Sequence, residues 1–286
     1  MKTYHILYNN VAGAHEAGTN ACVSLVRKLG GEVRMVDVQT LESHKSFLAG
    51  VQEEDVIVIC GGDGTLNHYI NGLLGVEYAN QVLYYPGGSG NDFFHCVTGN
   101  TEPDLIDITH IIKELPTATI KGQEYAFANG IGCGIDGFCC EYAQKQRAKG
   151  RIKINYTALA LYGVFFKYKP TGITVTVDGV SHRFEDAWLA SVMNGKYFGG
   201  GMIPTPGQER NSGEISVMIA HDLSKLKILV LFPTLFTGKH VKYKENVSVL
   251  RGKTITVKYD EPRPLQIDGE VVSEVSEFVS RAYEEK

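Results

Sequence analysis

Val56-Ile57-Val58-Ile59-Cys60-Gly61-Gly62-Asp63-Gly64-Thr65 is the stretch on which the reading of this chain turns. Its first five residues form an apolar run without alternation, as expected of a parallel strand buried on both faces. The run stops at Gly61-Gly62, where a backbone lacking Cβ can take φ > 0 and come close to a ligand. Asp63 then stands at the carboxyl end of the strand, the edge at which open α/β sheets hold their ligands. Leu66, Tyr69, Ile70, Leu73 and Leu74 follow at helical spacing. They predict a helix with one apolar face, Thr65 as its N-cap and Gly75 as its stop. Strand, glycine turn, acid and helix N-terminus together favour a phosphate group and its metal ion, because N–H groups and the helix dipole attract anions there.

The same order recurs. Gln81-Val82-Leu83-Tyr84-Tyr85 reads as a short strand, followed by Pro86-Gly87-Gly88-Ser89-Gly90-Asn91-Asp92 and the apolar pair Phe93-Phe94. One glycine turn says little, since most are only tight turns. Two acid-bearing turns after neighbouring strands are harder to assign to unrelated loops. Gly88, Ser89, Asn91 and the backbone of Gly61, Gly62, Asp63, Gly64 and Thr65 are candidates to hold phosphates. Asp63 is the candidate Mg²⁺ ligand, directly or through water, and Asp92 is the second, with helix capping as its alternative role.

Around these turns the first third of the chain alternates strand and helix. Tyr4 to Tyr8 and Glu32 to Val38 read as strands, residues 14–29 and Leu41 to Val51 as helices. Such βαβ alternation predicts a parallel sheet with right-handed crossovers. From about residue 117 the texture changes to separated β runs: Thr117 to Lys121, Glu124 to Asn129, Ile173 to Val177, Trp188 to Met193, Ile215 to Ile219 and Ile255 to Tyr259. Their density and glycine turns suggest an antiparallel sandwich. The fold class expected is α/β, with a parallel-sheet nucleotide-binding domain over residues 1–122 and a β-sandwich-like domain over 123–274. The tail after Glu270 fits either a helix or a strand.

The two turns resemble the nucleotide-binding signature of the diacylglycerol kinase catalytic-domain family, which includes bacterial soluble lipid kinases and sphingosine and ceramide kinases. Further matches run in family order through Asn9 to Gly13, Thr40, Asn129-Gly130-Ile131-Gly132, Gly199-Gly200-Gly201 before Pro204, and Ile267-Asp268-Gly269-Glu270. The first motif is shared with NAD kinases, so the second turn and the late Asp-Gly-Glu carry the specificity. The resemblance implies ATP and Mg²⁺ as cofactors, a lipid hydroxyl as acceptor, and an active site in the cleft between domains. It adds Asn9, Asn10, Gly13 and Thr40 to the nucleotide-binding residues and makes Glu270 the catalytic base, with Asp268 orienting or binding through water and Asp63 completing the catalytic set. It also implies that residues 275–286 return to the first domain. Read without the family, Asp268-Gly269 is a type I′ hairpin signal, and Asn9 to Gly13 is equally a plain strand-to-helix turn. Two departures stand out. Asn10 and His15 replace the usual Pro and a nearby cation, and Ser212 replaces an acid that holds a structural metal in some bacterial members; no such metal is expected here.

At 286 residues, 43% hydrophobic and a net charge of −4, the chain has core enough for one or two domains and no general attraction to nucleic acid. Six scattered cysteines without a C-x-x-C pair point to reduced thiols, hence the cytoplasm. The N-terminus lacks a signal-peptide h-region, and no apolar run approaches the ~20 residues of a membrane span. A lipid acceptor would therefore be met at a membrane surface, from outside the bilayer. Lys145, Arg147, Lys149, Arg151 and Lys153 precede the apolar run Tyr156 to Phe166, which reads either as a membrane-facing element or as a solvated loop before a core helix. Leu226 to Phe236 is equally open, and so is a homodimer. The functions carried forward are a lipid kinase, an NAD kinase, and a nucleotide-binding regulator without catalysis.

Overall fold

The computed structural model describes residues 2–9, 16–150 and 154–285. The chain divides into two compact units, Met1–Leu115 and Pro116–Lys286, each with its own sheet. In the first unit β1 (Thr3–Tyr8), β2 (Glu32–Asp37), β3 (Val56–Gly61) and β4 (Gln81–Pro86) are parallel in the order β2-β1-β3-β4. A short antiparallel β5 (Ile106–Asp107) extends the β4 edge. Helices α1 (Glu16–Lys28), α2 (His44–Ala49), α3 (Asp63–Gly72) and α4 (Asp92–Thr98) complete the unit. Every residue of β3 is buried, which is why its sequence is apolar without alternation. Its Val56, Val58 and Cys60 pack with Ile6 of β1 and with Cys22 and Val26 of α1. At the amino end of the sheet, buried Asp55 accepts the Thr3 N–H at 2.8 Å and meets His5 Nε2 at 3.2 Å, tying β1 to β3.

Two helix starts differ from expectation. Helix α3 begins at Asp63, so Gly62, not Thr65, occupies the N-cap position, and its carbonyl accepts the Leu66 N–H at 3.1 Å. Thr65 sits in the first turn, folded back over Gly61, where its side chain fills the space a Cβ would need. Helix α2 is shorter than Leu41 to Val51, because Val38–Thr40 forms a 3₁₀ turn and Ser43 caps the helix by accepting the Ser46 N–H at 3.0 Å.

The second unit is a nine-stranded antiparallel array. It comprises β6 (Thr117–Ile120), β7 (Gln123–Ala126), β8 (Gly130–Gly134), β9 (Thr171–Val177), β10 (Val180–Met193), β11 (Ile215–His221), β12 (Val247–Gly252), β13 (Thr254–Ile267) and β14 (Glu270–Arg281). The order is β12-β11-β10-β8-β13-β14-β6-β7. The long strands β10 and β13 hold β8 between them at one end and β9 at the other, so the sheet folds over on itself and encloses one core. Register shifts at Phe184/Ala187 and Lys258/Arg263 mark where the long strands change partner. Helices α5 (Ile135–Arg147), α6 (Tyr156–Tyr162) and α7 (Lys225–Leu231) complete the unit, with a π-helical turn, Gly163–Lys167, after α6.

The tail resolves to a strand. Residues 275–281 lie in β14, paired with β13 and β6 inside the second unit, so the expected return of residues 275–286 to the first unit is corrected. Ile267 pairs with Glu270 across a two-residue turn in which Asp268 and Gly269 have φ of 47° and 97°. This is type I′ geometry, matched to the twist of the flanking strands. A methyl group on Gly269 would meet no neighbour within 4 Å, so only backbone strain opposes it. Gly269→Ala should therefore lower unfolding stability by about 1–2 kcal/mol, read as a shift in the urea midpoint at constant slope; an unshifted midpoint would show that the turn relaxes.

Candidate active site

The candidate residues of the first unit gather along one sheet edge. Asn9 follows β1, Thr40 closes the 3₁₀ turn after β2, residues 61–65 follow β3 and residues 86–92 follow β4. Register pairs Tyr8 with Cys60 and Gly61 with Pro86, so the carboxyl ends are level. Strand order reverses between β1 and β3, and such a switch point is where open α/β sheets bind ligands. Thr40 is exposed and its hydroxyl donates to the Asp37 carbonyl at 2.8 Å. Asn10, Gly13 and His15 lie outside the described residues.

The two glycine turns touch. The Gly87 N–H donates to the Gly61 carbonyl at 3.0 Å, and a Cβ on Gly88 would run into Gly62 Cα. Gly62 has φ of −89°, so at this position the glycine serves close approach of two backbones and not the left-handed conformation expected from the sequence. Asp63 locks the pair together. Its Oδ2 accepts the Asp92 N–H at 3.0 Å and its Oδ1 the Phe93 N–H at 2.9 Å, which caps α4 from the neighbouring turn. Asn91, at φ 53°, holds the second turn by accepting the Gly88 N–H at 3.0 Å and donating to the Gly88 carbonyl at 2.9 Å. Ser89 is exposed at its tip.

Asp92 is buried in the first turn of α4, and the charges of Asp63 and Asp92 both reach Tyr84. Burial first, then Asp63, Cys60 and Asp92, pushes the Tyr84 phenol well above its ordinary pKa. Its buried hydroxyl has no hydrogen-bond partner among the described residues. Among these residues no group of three or more His, Cys, Asp and Glu forms a metal cage. Two carboxylates and an unmet hydroxyl suit a hydrated Mg²⁺ carried in on phosphate oxygens, since that ion keeps several waters and takes only one or two protein carboxylates.

In the second unit Asp268 organises a loop. Its carboxylate accepts the N–H groups of Ala128, Asn129 and Gly130 at 2.6, 2.8 and 2.9 Å. Arg210 donates to the Ala128 carbonyl and, at 3.0 Å, to Asn129 Oδ1; buried Asn194 also reaches the Ala128 carbonyl. Glu270, two residues beyond Asp268, is exposed. Gly199, Gly200 and Gly201 take three consecutive positive φ values inside a loop closed by paired hydrogen bonds between Phe198 and Met202, a path open only to glycine.

Asp136 is the residue that sequence reasoning missed. It stands in the first turn of α5, where the Gly137 N–H meets its Oδ1 at 2.8 Å and Ser191 Oγ and Gln266 Nε2 approach its Oδ2 at 3.3 and 3.4 Å. Gln266 also accepts the Gly269 N–H at 2.9 Å and so links Asp136 to the Asp268-Gly269-Glu270 turn. Burial raises the Asp136 carboxyl to about 6 despite these donors. Burial, with Asp136 and Glu270 adding to it, likewise pushes the Cys140 thiol up to about 12, so both acids act on one neighbourhood of α5. The available signal was the order glycine strand, acid, helix in Gly130 to Asp136, a third instance of the pattern that marks Asp63 and Asp92.

At the Ser212 departure a guanidinium stands beside the hydroxyl. Arg251 donates to Ser212 Oγ at 3.0 Å and pairs with Glu214 at 2.9 Å.

Two measurements check this geometry. Asp63→Ala leaves the first N–H groups of α4 without their acceptor and should cost about 1–3 kcal/mol of stability in nucleotide-free protein, with Asp63→Asn costing less; equal stability of wild type and Asp63→Ala would remove the cap. For Asp136, a folded-state pKa above the ordinary carboxylate value means that the native state binds the proton more tightly than the unfolded chain. Wild type should therefore gain stability relative to Asp136→Asn as pH falls from about 6 towards 4, and parallel pH profiles in urea titrations would rule out the raised carboxyl.

A family model described as diacylglycerol kinase catalytic domain matches residues 3–121, and one described as YegS C-terminal NAD kinase beta sandwich-like domain matches residues 129–282. The chain is 26% identical over 268 residues to a diacylglycerol kinase of Mycobacterium tuberculosis (strain ATCC 25618 / H37Rv), covering 87% of this chain and 83% of that protein. It resembles in fold a crystal structure of a diacylglycerol kinase from Bacillus anthracis str. Sterne, with a TM-score of 0.64 at 18% identity over 99% of this chain and 97% of that one. A yeast NADH kinase complexed with NADH shares the fold more distantly, with a TM-score of 0.50 at 12% identity over 99% of this chain and 81% of that one. With its acid-bearing glycine turns in the first matched region and its Asp-Gly-Glu hairpin in the second, the chain belongs to the diacylglycerol kinase catalytic-domain family.

Proposed function

We propose that this protein is an ATP- and Mg²⁺-dependent kinase that transfers the γ-phosphate to a hydroxyl of diacylglycerol or a related lipid, working from the aqueous side of a membrane in the cytoplasm. The observation that carries the reading is the contact of the two acid-bearing glycine turns at the carboxyl edge of the first sheet. Backbone N–H groups at the start of α3 and the exposed Ser89 hydroxyl bind phosphate oxygens, with Asn9 and Thr40 on the same edge for the rest of the nucleotide. Asp63 and Asp92 would hold the Mg²⁺, which would supply positive charge against the phosphates. Asp63 accepts one N–H of α4 at each oxygen and keeps a further lone pair on each, which would reach the ion directly or through water.

Phosphoryl transfer is mostly positioning and charge stabilisation, so the second unit needs only to bind the acceptor and take its proton. Glu270 takes that proton. Asp268 does not compete for this role, because both its oxygens already accept backbone N–H groups; it fixes the turn that presents Glu270. No helix among the described residues is long and apolar enough to cross a membrane, and the lipid has to be met at the bilayer surface.

The test is ATP consumption by pure protein against lipids in mixed micelles, with NAD in the same panel. Phosphorylation of NAD in place of any lipid would overturn the reading. Glu270→Gln keeps shape and hairpin while losing basicity, so kcat should fall by about 10²–10⁴-fold, with ATP affinity nearly unchanged. A Gln variant with full turnover would leave Asp268-Gly269-Glu270 a structural hairpin.

A further inference from the structure

The second unit carries an apolar face that its own chain leaves uncovered. Phe166, in the turn after α6, is 75% exposed, and Leu226 and Val230 of α7 are 72% and 63% exposed. The two segments are neighbours: Lys225 Nζ donates to the Phe165 carbonyl at 2.8 Å, and Ile228 packs beside Phe165 against Val164, Tyr168 and Trp188. Helix α7 is thus apolar on both sides. Ile228 and Leu231 serve the interior, while Leu226, Leu229 and Val230 face water. A contiguous exposed apolar face of this kind marks an interaction site.

The charges around it identify the partner. The whole chain has 32 acidic and 28 basic side chains, yet residues 142–177 and 223–244 contain no Asp or Glu at all. Those two segments carry the exposed apolar residues and hold twelve Lys and Arg. Arg151 and Lys153 of this set lie outside the described residues, Lys145 pairs with Glu141 at 2.7 Å, and Arg147 donates to Tyr156 at 3.1 Å. Lys167, Lys169, Lys225, Lys239, Lys242 and Lys244 are exposed. In an acidic protein, an apolar face whose own two segments carry cations and no acids matches a surface that is apolar within and anionic at its rim. That is the chemistry of a bilayer containing anionic lipids, whose surface potential attracts nearby cations.

We propose that the α6–α7 face docks on a bilayer carrying anionic headgroups, with Phe166, Leu226 and Val230 entering the headgroup region and the surrounding lysines meeting lipid phosphates. The docking rests on the lipid-kinase reading for its purpose, but its measurement needs no catalysis. Full-length protein is sedimented with phosphatidylcholine vesicles, with and without phosphatidylglycerol, over a salt series. Wild type should bind the anionic vesicles, less as salt rises. The triple variant Phe166→Ser, Leu226→Ser, Val230→Ser should bind at least tenfold more weakly, and Lys167→Glu with Lys169→Glu should reduce the preference for anionic lipid. Circular dichroism verifies folding, and Phe166→Ser alone replaces the triple variant if that fails to fold. Wild type that ignores anionic vesicles, or serine variants that bind as well as wild type, overturn the docking. So does a serine variant that turns a dimer into a monomer in sedimentation velocity while binding vesicles normally, which would give the face to a second copy of the chain. Turnover on a short-chain, water-soluble diacylglycerol separates the two readings. Vesicle binding without phosphorylation of any lipid supports docking while sinking the kinase, and turnover on the soluble lipid without vesicle binding does the reverse.

Discussion

Two backbones that must touch impose most of what is seen in the first unit. Gly61-Gly62 and Gly87-Gly88 end adjacent strands and press together with no room for side chains. The contact would be a weak one without Asp63, whose carboxylate crosses from the first turn to the first N–H groups of α4 in the second. One acid thereby unites two loops and two helix starts. A carboxylate accepting two backbone N–H groups is held by charge-assisted bonds, and it arrives at the ligand edge already oriented.

The second unit solves a similar problem with the same device. Asp268 gathers three consecutive N–H groups from residues 128–130, fixing the loop ahead of β8 and the β13–β14 turn in a single stroke. Glu270 is left exposed beside it, and Gln266 carries the connection on to Asp136. In both units an acid that sequence patterns single out accepts backbone N–H groups and fixes a turn.

How much of this was legible follows from how side chains encode structure. The β3 run and the turns after β3 and β4 could be read directly, since a strand buried on both faces leaves no alternative to continuous Val and Ile. In the second unit Ile173 to Val177 and Ile255 to Tyr259 were visible by alternation, and Trp188 to Met193 and Ile215 to Ile219 as largely apolar runs buried throughout. β8 was not: Gly130, Gly132 and Gly134 leave only Ile131 and Cys133 to report burial, and Gly132 is glycine because the Asp136 carboxylate and the Ser191 hydroxyl crowd its Cα. Thr65 was misassigned for a related reason. An N-cap is normally announced by a side chain, and here the capping position is held by Gly62, which has none. The tail was ambiguous between helix and strand because Val275 and Phe278 fit either period; pairing with two other strands decided it. Which acid bonds which N–H is a tertiary fact that no local pattern states.

The placement of β13 and β14 also bears on the order in which the protein can be made. Leu265 pairs with Cys133, and Phe278 with Ile120, across most of the second unit's length. These last strands stand inside the sheet, between β8 on one side and β6 on the other. Until they leave the ribosome, β8 and β6 have unpaired edges and the core has no floor. The first unit, whose last strand ends at Asp107, can close long before. Synthesis therefore produces a finished first unit trailed by an open β array. That second stage is the slow one, since pairing across such sequence separations is late and exposes strand edges to aggregation.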